Sequence, residues 1–294
     1  MADTTEGGAA RRSVLTRSGL ALAVDVHDSS GLGAPVILLH GGGQTRHSWS
    51  NVADMLADGG HETWTVDLRG HGESDWSVDG DYSTESMVED LVEVCDRLPA
   101  PPIVVGASMG GLVALMAEGL LHPGRFHALV LVDIATRIEA AGVDRIVSFM
   151  GAAPDGFASL EEAAESVAAY RPDQPRRIGV DGLRKNLRQG ADGRWRWHWD
   201  PAFLEVRNRD SRRDPEVLGR AAAGLGLPVL LVRGRMSDMV TEESAQLFLE
   251  QCRHARYVDV ADAGHMVVGD RNDHFCSAVL DFIAEIDGSP EVSG

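Results

Sequence analysis

Gly106-Ala107-Ser108-Met109-Gly110 places a serine hydroxyl where it could act as a nucleophile. The run before it, Ile103-Val104-Val105, has the apolar continuity of a buried parallel strand, and the Gly/Ala/Leu-rich residues after it have helical character. A Gly-x-Ser-x-Gly turn between strand and helix strains the serine backbone and lifts its hydroxyl clear of the sheet. It needs small flanking residues, because strand and helix nearly touch there. It also aims the first amides of the helix at whatever binds. The bland alternative is a glycine-rich corner with a capping serine. A serine hydroxyl alone is a weak nucleophile. Acyl-transfer chemistry at Ser108 therefore needs a base, an acid that orients the base, and donors for an oxyanion.

Each of these has a candidate. His40-Gly41-Gly42-Gly43 directly follows the apolar run Pro35–Leu39. Three glycines let backbone approach a ligand closely and turn amides inward, so the amides of Gly42 and Met109 are expected to form the oxyanion hole. Among the 11 histidines, His265 in Ala263-Gly264-His265 is the expected base. It follows a strand, sits in a small-residue loop and precedes the last helix. His40 and His71 lie in glycine loops and are expected to fix those loops by hydrogen bonds. Asp238, in Arg233-Gly234-Arg235-Met236-Ser237-Asp238, occupies a strand-end loop between nucleophile and base and is the expected acid. Asp133, at the end of the strand after the elbow helix, is its rival; its bland role is to satisfy loop amides.

The elements that must position these groups alternate. Ser13–Thr16 and Leu20–His27 flank Arg17-Ser18-Gly19 as an antiparallel hairpin. Strands follow at 35–39, 63–66, 103–107, 128–132, 229–232 and 256–260, with helices at 48–56, 85–98, 108–121, 241–251 and 271–286. This rhythm means a parallel sheet covered on both faces. It breaks between about 135 and 220, where helical patches at 140–150, 160–170 and 182–188 suggest an inserted, mainly helical lid over the carboxyl ends of the strands, the edge where ligands bind in such sheets. The core is thus expected at 12–134 and 221–287, the lid at 135–220, and disorder at 1–11 and 288–294. In Arg194-Trp195-Arg196-Trp197-His198-Trp199, an extended chain puts the three indoles on one face. They either line an apolar pocket or form the lid's own small core, and the second reading is preferred. Gly41, Trp49 and Trp197 are carried as candidate pocket residues, and Met109 as a pocket wall.

Composition bounds the rest. The chain of 294 residues is 44% hydrophobic and can bury a sizeable core. A formal net charge of −18 argues against nucleic acid, against an anionic membrane surface and, more mildly, against highly anionic substrates. Cys95, Cys252 and Cys276 are sparse and odd in number, which is neither a disulfide framework nor a metal-ligand spacing. The polar N-terminus lacks the apolar core of a signal peptide, and no apolar run approaches a membrane span. A cytoplasmic protein is expected, with neither metal nor organic cofactor; its oligomeric state, homo-oligomer included, is left open.

Together His40-Gly41-Gly42-Gly43, Asp67-Leu68-Arg69-Gly70-His71-Gly72-Glu73-Ser74, Gly106 to Gly111, Gly234 to Asp238 and Gly264-His265 occur in the order of the α/β-hydrolase fold, which the chain resembles over nearly its whole length. The resemblance implies a mostly parallel eight-stranded sheet flanked by helices. The Asp-Leu-Arg-Gly-His-Gly-x-Ser loop and Ser-Met-Gly-Gly elbow are similar to the branch of cofactor-free haloperoxidases, epoxide hydrolases, carboxylesterases and carbon–carbon bond hydrolases, in which Asp67 and Arg69 would be structural. Epoxide hydrolases and haloalkane dehalogenases carry aspartate where this chain has Ser108, which weighs for acyl transfer to serine. The expected activity is therefore cleavage of a carboxylic ester, lactone or similar small acyl substrate. A carbon–carbon hydrolase with the same triad and a ligand-binding receptor on the same fold are the alternatives.

Overall fold

A computed structural model describes residues 9–170, 183–207, 210–261 and 273–288. In chain order, the first half comprises β1 (Ala10–Leu15), β2 (Ala21–His27), β3 (Val36–Leu39), α1 (Ser50–Asp58), β4 (Thr63–Val66), α2 (Thr84–Cys95), β5 (Ile103–Ala107), α3 (Met109–Met116) and β6 (Ala128–Val132). There follow α4 (Ala140–Gly151), α5 (Leu160–Tyr170), β7 (Leu187–Gln189), β8 (Trp195–Trp197), α6 (Ala202–Arg207) and α7 (Pro215–Gly224). The chain closes with β9 (Val229–Gly234), α8 (Glu242–Gln251), β10 (Arg256–Val260) and α9 (Asp273–Ile286). Eight strands form one sheet in the order β1-β2-β4-β3-β5-β6-β9-β10, antiparallel at β1–β2 and β2–β4 and parallel elsewhere.

The central strands are apolar at every position because both faces are covered. Ile37 and Leu39 of β3 join one core with Met87, Leu91, Leu112, Leu115, Leu218 and Phe248 from α2, α3, α7 and α8. Val36 and Leu38 join the other, with Val52 and Leu56 of α1 and Phe275 and Phe282 of α9. That alternation is the two-residue period of a strand, read out as two separate cores. Helix starts are chemically marked: Ser83 accepts from the Ser86 amide, Thr241 from the Ser244 amide, and Asp214 from the Glu216 amide with Pro215 in the first turn.

Register brings the strand ends into line. Leu39 pairs with Val66 on one side and Gly106 on the other, Ala107 pairs with Val132, and Val132 with Val232. The residues that come next, His40, Asp67, Ser108, Asp133 and Arg233, therefore emerge side by side at the carboxyl edge.

Three expectations need correction. The disordered N-terminus was expected to reach residue 11, but β1 begins at Ala10, because Ala10 and Arg11 pair with Val26 and Asp25. Residues 1–8 lie outside the described residues, as do 289–294 at the other end. The helical patch expected to run to 188 gives way to β7, which pairs antiparallel with β8 from Leu187–Trp197 to Gln189–Trp195; Gly182 itself lies outside the described residues. The last helix before β9 packs on the core ahead of the expected 221: Leu218 of α7 lies in one core with Leu112 and Phe248, and a Cβ on Gly119 would stand 2.1 Å from the Ala221 carbonyl oxygen, so only glycine lets α7 lie this close. Among the described residues no helix is long and apolar enough to cross a membrane.

Candidate active site

Ser108 stands between β5 and α3 with φ 46° and ψ −108°, a conformation that costs a non-glycine residue energy. It is held there on both sides: its amide donates to the Val132 carbonyl at 2.9 Å, and its carbonyl accepts from the Leu112 amide at 2.9 Å. The flanking glycines are sterically required. A Cβ on Gly106 would meet the Gly111 nitrogen at 2.5 Å, one on Gly110 would meet the Leu39 Cβ at 2.6 Å, and one on Gly111 the Ile134 Cγ2 at 2.5 Å. These contacts are the close strand–helix approach that the pentapeptide implied.

The glycine loop after β3 is set by a neutral histidine. The Leu68 amide donates to His40 Nε2 at 3.0 Å, so the proton sits on Nδ1 and is donated to the Gly41 carbonyl at 2.8 Å. Burial lowers the His40 pKa, which keeps this tautomer uncharged. The Gly41 carbonyl also accepts from the Gln44 amide at 3.1 Å, and the Gly41 amide donates to Gln44 Oε1 at 2.9 Å. In a trans peptide the C=O and N–H point oppositely. Pinning the Gly41 carbonyl toward His40 and Gln44 therefore turns the Gly42 amide the other way. Gly42, Ser108 and Met109 line one cavity of about 30 Å³, with an apolar wall that includes Leu112, Ile134 and Met150. A Cβ on Gly41 would lie 3.5 Å from the Ser108 Cβ, which places Gly41 beside Ser108. The elbow helix is tied to this loop by the Gly110 amide, which donates to the His40 carbonyl at 3.2 Å.

The two acid candidates sit differently. Asp133 is 1% exposed at φ 49°, next to Ser108 in register. Its Oδ2 accepts from the Ser237 hydroxyl at 2.6 Å and its Oδ1 from the Gly234 amide at 3.3 Å. Asp238 is 37% exposed and its carboxylate forms an ion pair with Arg145 of α4. The expected base, His265, lies outside the described residues.

Asp67 and Arg69 hold the scaffold. Asp67 accepts from the Arg46 amide at 2.6 Å, from Arg46 Nη1 at 2.5 Å and from the Glu73 amide at 2.9 Å. Arg69 grips Asp90 of α2 with two hydrogen bonds, at 2.6 and 2.7 Å. His71 donates from Nδ1 to the Arg69 carbonyl at 3.2 Å, and burial together with His40 and His198 pushes its pKa well down.

The inserted segment reaches this floor through the β7–β8 hairpin. His198 accepts the Gly72 amide on Nδ1 at 2.7 Å, which leaves its proton on Nε2, facing the Gly43 carbonyl at 3.3 Å. Burial pushes its pKa down to about 3. One neutral imidazole thus fastens both glycine loops to the insertion. Sequence reasoning missed it; the signal was its place out of phase with the three tryptophans. Trp197 stacks on Trp199 at 4.9 Å and meets Phe157 edge-on at 5.3 Å, but these side chains are continuous with the core of the sheet rather than a separate core of the insertion, and Trp199 lies against Gly43. Of the candidate pocket residues, Trp197 is packed in that core. Trp49 is fully buried on the opposite face of the sheet, 6.1 Å from Phe275, because it lies on the apolar side of the turn that opens α1. Neither is among the described residues that line the Ser108 cavity, whereas Met109 is. Arg213 also lines the cavity, and nothing in the sequence pointed to it. No group of three His, Cys, Asp or Glu among the described residues is placed to hold a metal ion.

A strained serine on a strand–helix turn, beside a glycine loop at the carboxyl edge of a mostly parallel eight-stranded sheet, has a family. The model of the alpha/beta hydrolase fold matches residues 34–271, and the chain belongs to that family. The chain is 32% identical over 243 residues to an esterase of Mycobacterium tuberculosis, covering 80% of this chain and 78% of that protein. It is 30% identical over 244 residues to a 3-hydroxybutyrate-oligomer hydrolase of Cupriavidus necator, covering 78% and 82%. A solved structure of the Mycobacterium tuberculosis esterase superposes with a TM-score of 0.72 at 27% identity, covering 96% of this chain and 92% of that one. An E-2-(acetamidomethylene)succinate hydrolase superposes with a TM-score of 0.80 at 24% identity, covering 94% and 99%, a likeness of fold. The chain is thus an α/β-hydrolase-fold protein that is similar in sequence to an esterase.

Proposed function

We propose that this chain is a serine hydrolase that cleaves a carboxylic ester or lactone through an acyl-enzyme on Ser108. The single observation that carries the reading is the placement of Ser108 in one cavity with Gly42 and Met109, on a backbone whose strain the flanking glycines sustain. The Ser108 hydroxyl attacks the acyl carbon and His265 takes its proton. The amides of Gly42 and Met109 receive the developing oxyanion, each donor being worth about 3 kcal/mol at the transition state. The tetrahedral adduct collapses, His265 returns the proton to the leaving alcohol, and water repeats the sequence on the acyl-enzyme.

For the acid we favour Asp133 over Asp238. A triad carboxylate must be buried and fixed so that it orients the imidazole and stabilises imidazolium in a low dielectric. Asp133 is buried beside Ser108 and held by Ser237 and Gly234, whereas Asp238 is half-exposed and neutralised by Arg145. The Asp67–Ser74 loop and the Ser-Met-Gly-Gly elbow support a place near the haloperoxidase-like esterases. The name of the Mycobacterium tuberculosis relative, an esterase, supports the reaction class.

Labelling with a fluorophosphonate, followed by peptide mapping, tests the nucleophile. The wild type is expected to carry one adduct on Ser108, and Ser108→Ala to lose both the label and at least a thousand-fold of ester turnover with an unchanged circular dichroism spectrum. A Ser108→Ala protein that keeps wild-type turnover overturns the mechanism.

A further inference from the structure

Ser108 and Asp133 share a backbone feature. They are the two non-glycine residues with positive φ in the described chain, at 46° and 49°. Such a conformation costs energy and persists only where the surroundings over-determine it. At Asp133 those surroundings are the end of β9 and the turn that follows. The Asp133 amide donates to the Val232 carbonyl at 2.7 Å. The turn Gly234-Arg235-Met236-Ser237 closes with the Ser237 amide donating to the Gly234 carbonyl at 2.9 Å. Its two ends then grip the Asp133 carboxylate by one oxygen each: the Gly234 amide donates to Oδ1 at 3.3 Å, and the Ser237 hydroxyl to Oδ2 at 2.6 Å.

The direction of the Ser237 proton follows from its other partners. Ser237 Oγ accepts from the Met239 amide at 3.1 Å and from the Val240 amide at 3.3 Å. Amides can only donate and an ionised carboxylate can only accept, so the single hydroxyl proton goes to Asp133. Hydrogen bonds to a charged acceptor are short and strong, and this one is 2.6 Å long. Arg235 and Met236, in the middle of the turn, are exposed, so of the side chains in the turn it is Ser237 that reaches inward. Donors on different oxygens fix the rotation of the carboxylate about its Cβ–Cγ bond. That rotation sets the direction from which an imidazole N–H can be accepted, and a small misplacement there is costly to catalysis.

We propose that Ser237 is a positioning residue of the catalytic machinery, which holds the Asp133 carboxylate in the plane that orients the base. The proposal rests on the reading of Asp133 as the acid. The loop after β9, in which chain order pointed to Asp238, then contributes a hydroxyl from one residue earlier rather than a carboxylate. The competing role is structural: Ser237 satisfies the Met239 and Val240 amides, and through Met239 supports the wall of the Ser108 cavity.

The test measures kcat and KM for p-nitrophenyl acetate, with enzyme concentration taken from fluorophosphonate titration so that only competent sites are counted. Ser237→Ala is expected to lower kcat about ten-fold, the range of one hydrogen bond to a charged group, with KM held within about two-fold. Ser237→Thr, which keeps the hydroxyl, should recover kcat to within about three-fold of the wild type. In an Asp133→Ala background the carboxylate is gone, and adding Ser237→Ala should change kcat by less than about two-fold, because the hydroxyl has nothing left to act through. Equal losses in the two backgrounds, a rise in KM with kcat unchanged, or a wild-type kcat in Ser237→Ala each overturn the proposal and reduce Ser237 to a cap of its own turn. Failure of the Asp133 reading shows separately, as an Asp133→Ala protein that turns over at the wild-type rate, and the proposal falls with it.

Discussion

At the scale of single residues, the site depends on which lone pair faces which proton. His40, His71 and His198 are all neutral, each in one tautomer dictated by a backbone neighbour; both ring nitrogens of His40 and His198 are engaged, His71 Nε2 is buried without a partner, and none of the three is among the described residues that line the Ser108 cavity. That division of labour leaves the base to a histidine outside this group. The acid is decided at the same scale. Asp133→Asn is expected to lower kcat/KM for a short ester by about a thousand-fold, because the amide can present the wrong atom to the imidazole. Asp238→Asn should change it by less than about three-fold, since that carboxylate answers Arg145 at a half-exposed position. Steady-state kinetics on both variants measures this, and equal losses would return the role to Asp238. Chain order alone placed Asp238 between nucleophile and base, and it placed Asp133 there equally well. What separates them is burial and partner, neither of which a linear pattern carries.

At the scale of elements, the elbow is an agreement between β3, β5, α3 and the loop after β6. Gly106, Gly110 and Gly111 each leave a gap that a methyl group would close. Gly110→Ala is therefore expected to destabilise the protein by about 2 kcal/mol or more, the usual cost of overpacking, because its Cβ would fall 2.6 Å from the Leu39 Cβ. Urea unfolding would show the midpoint shift; an unchanged midpoint would mean that α3 can slide away from β3. The glycines were legible in the sequence because tight turns demand them. The β7–β8 hairpin was not, since three-residue strands gain their pairing from tertiary context, here the stack of Trp197 on Trp199 and the clamp of His198. The alternation of tryptophans with arginine and histidine did signal an extended chain; what the indoles would face was left to packing.

For the whole molecule, the buried histidines link stability to pH. Burial depresses the folded-state pKa of His40, His71 and His198 below the ordinary value of 6.5. The unfolded chain then binds more protons than the native one below that value, so the stabilisation is complete above it and is lost as pH falls toward the folded-state pKa. With His198 at about 3, its share of that loss between pH 7 and 5 is about 2 kcal/mol, from about 1.5 pKa units at 1.36 kcal/mol each. Urea midpoints at the two pH values should fall with acidification, and more steeply for the wild type than for His198→Gln, which has no proton to gain; equal slopes would show that the ring is not held neutral. The sequence by itself determined the class of sheet, the strand–helix turn that carries Ser108 and the glycine loop, because continuous apolar runs and clustered glycines are demands of the backbone, and backbone demands are local. The tertiary structure alone decided which carboxylate is buried beside Ser108, that a histidine of the insertion fastens the two glycine loops, and that Arg213 enters the cavity. Those depend on which strand ends lie abreast and which side chains lose water, and both are settled only when segments remote in sequence pack together.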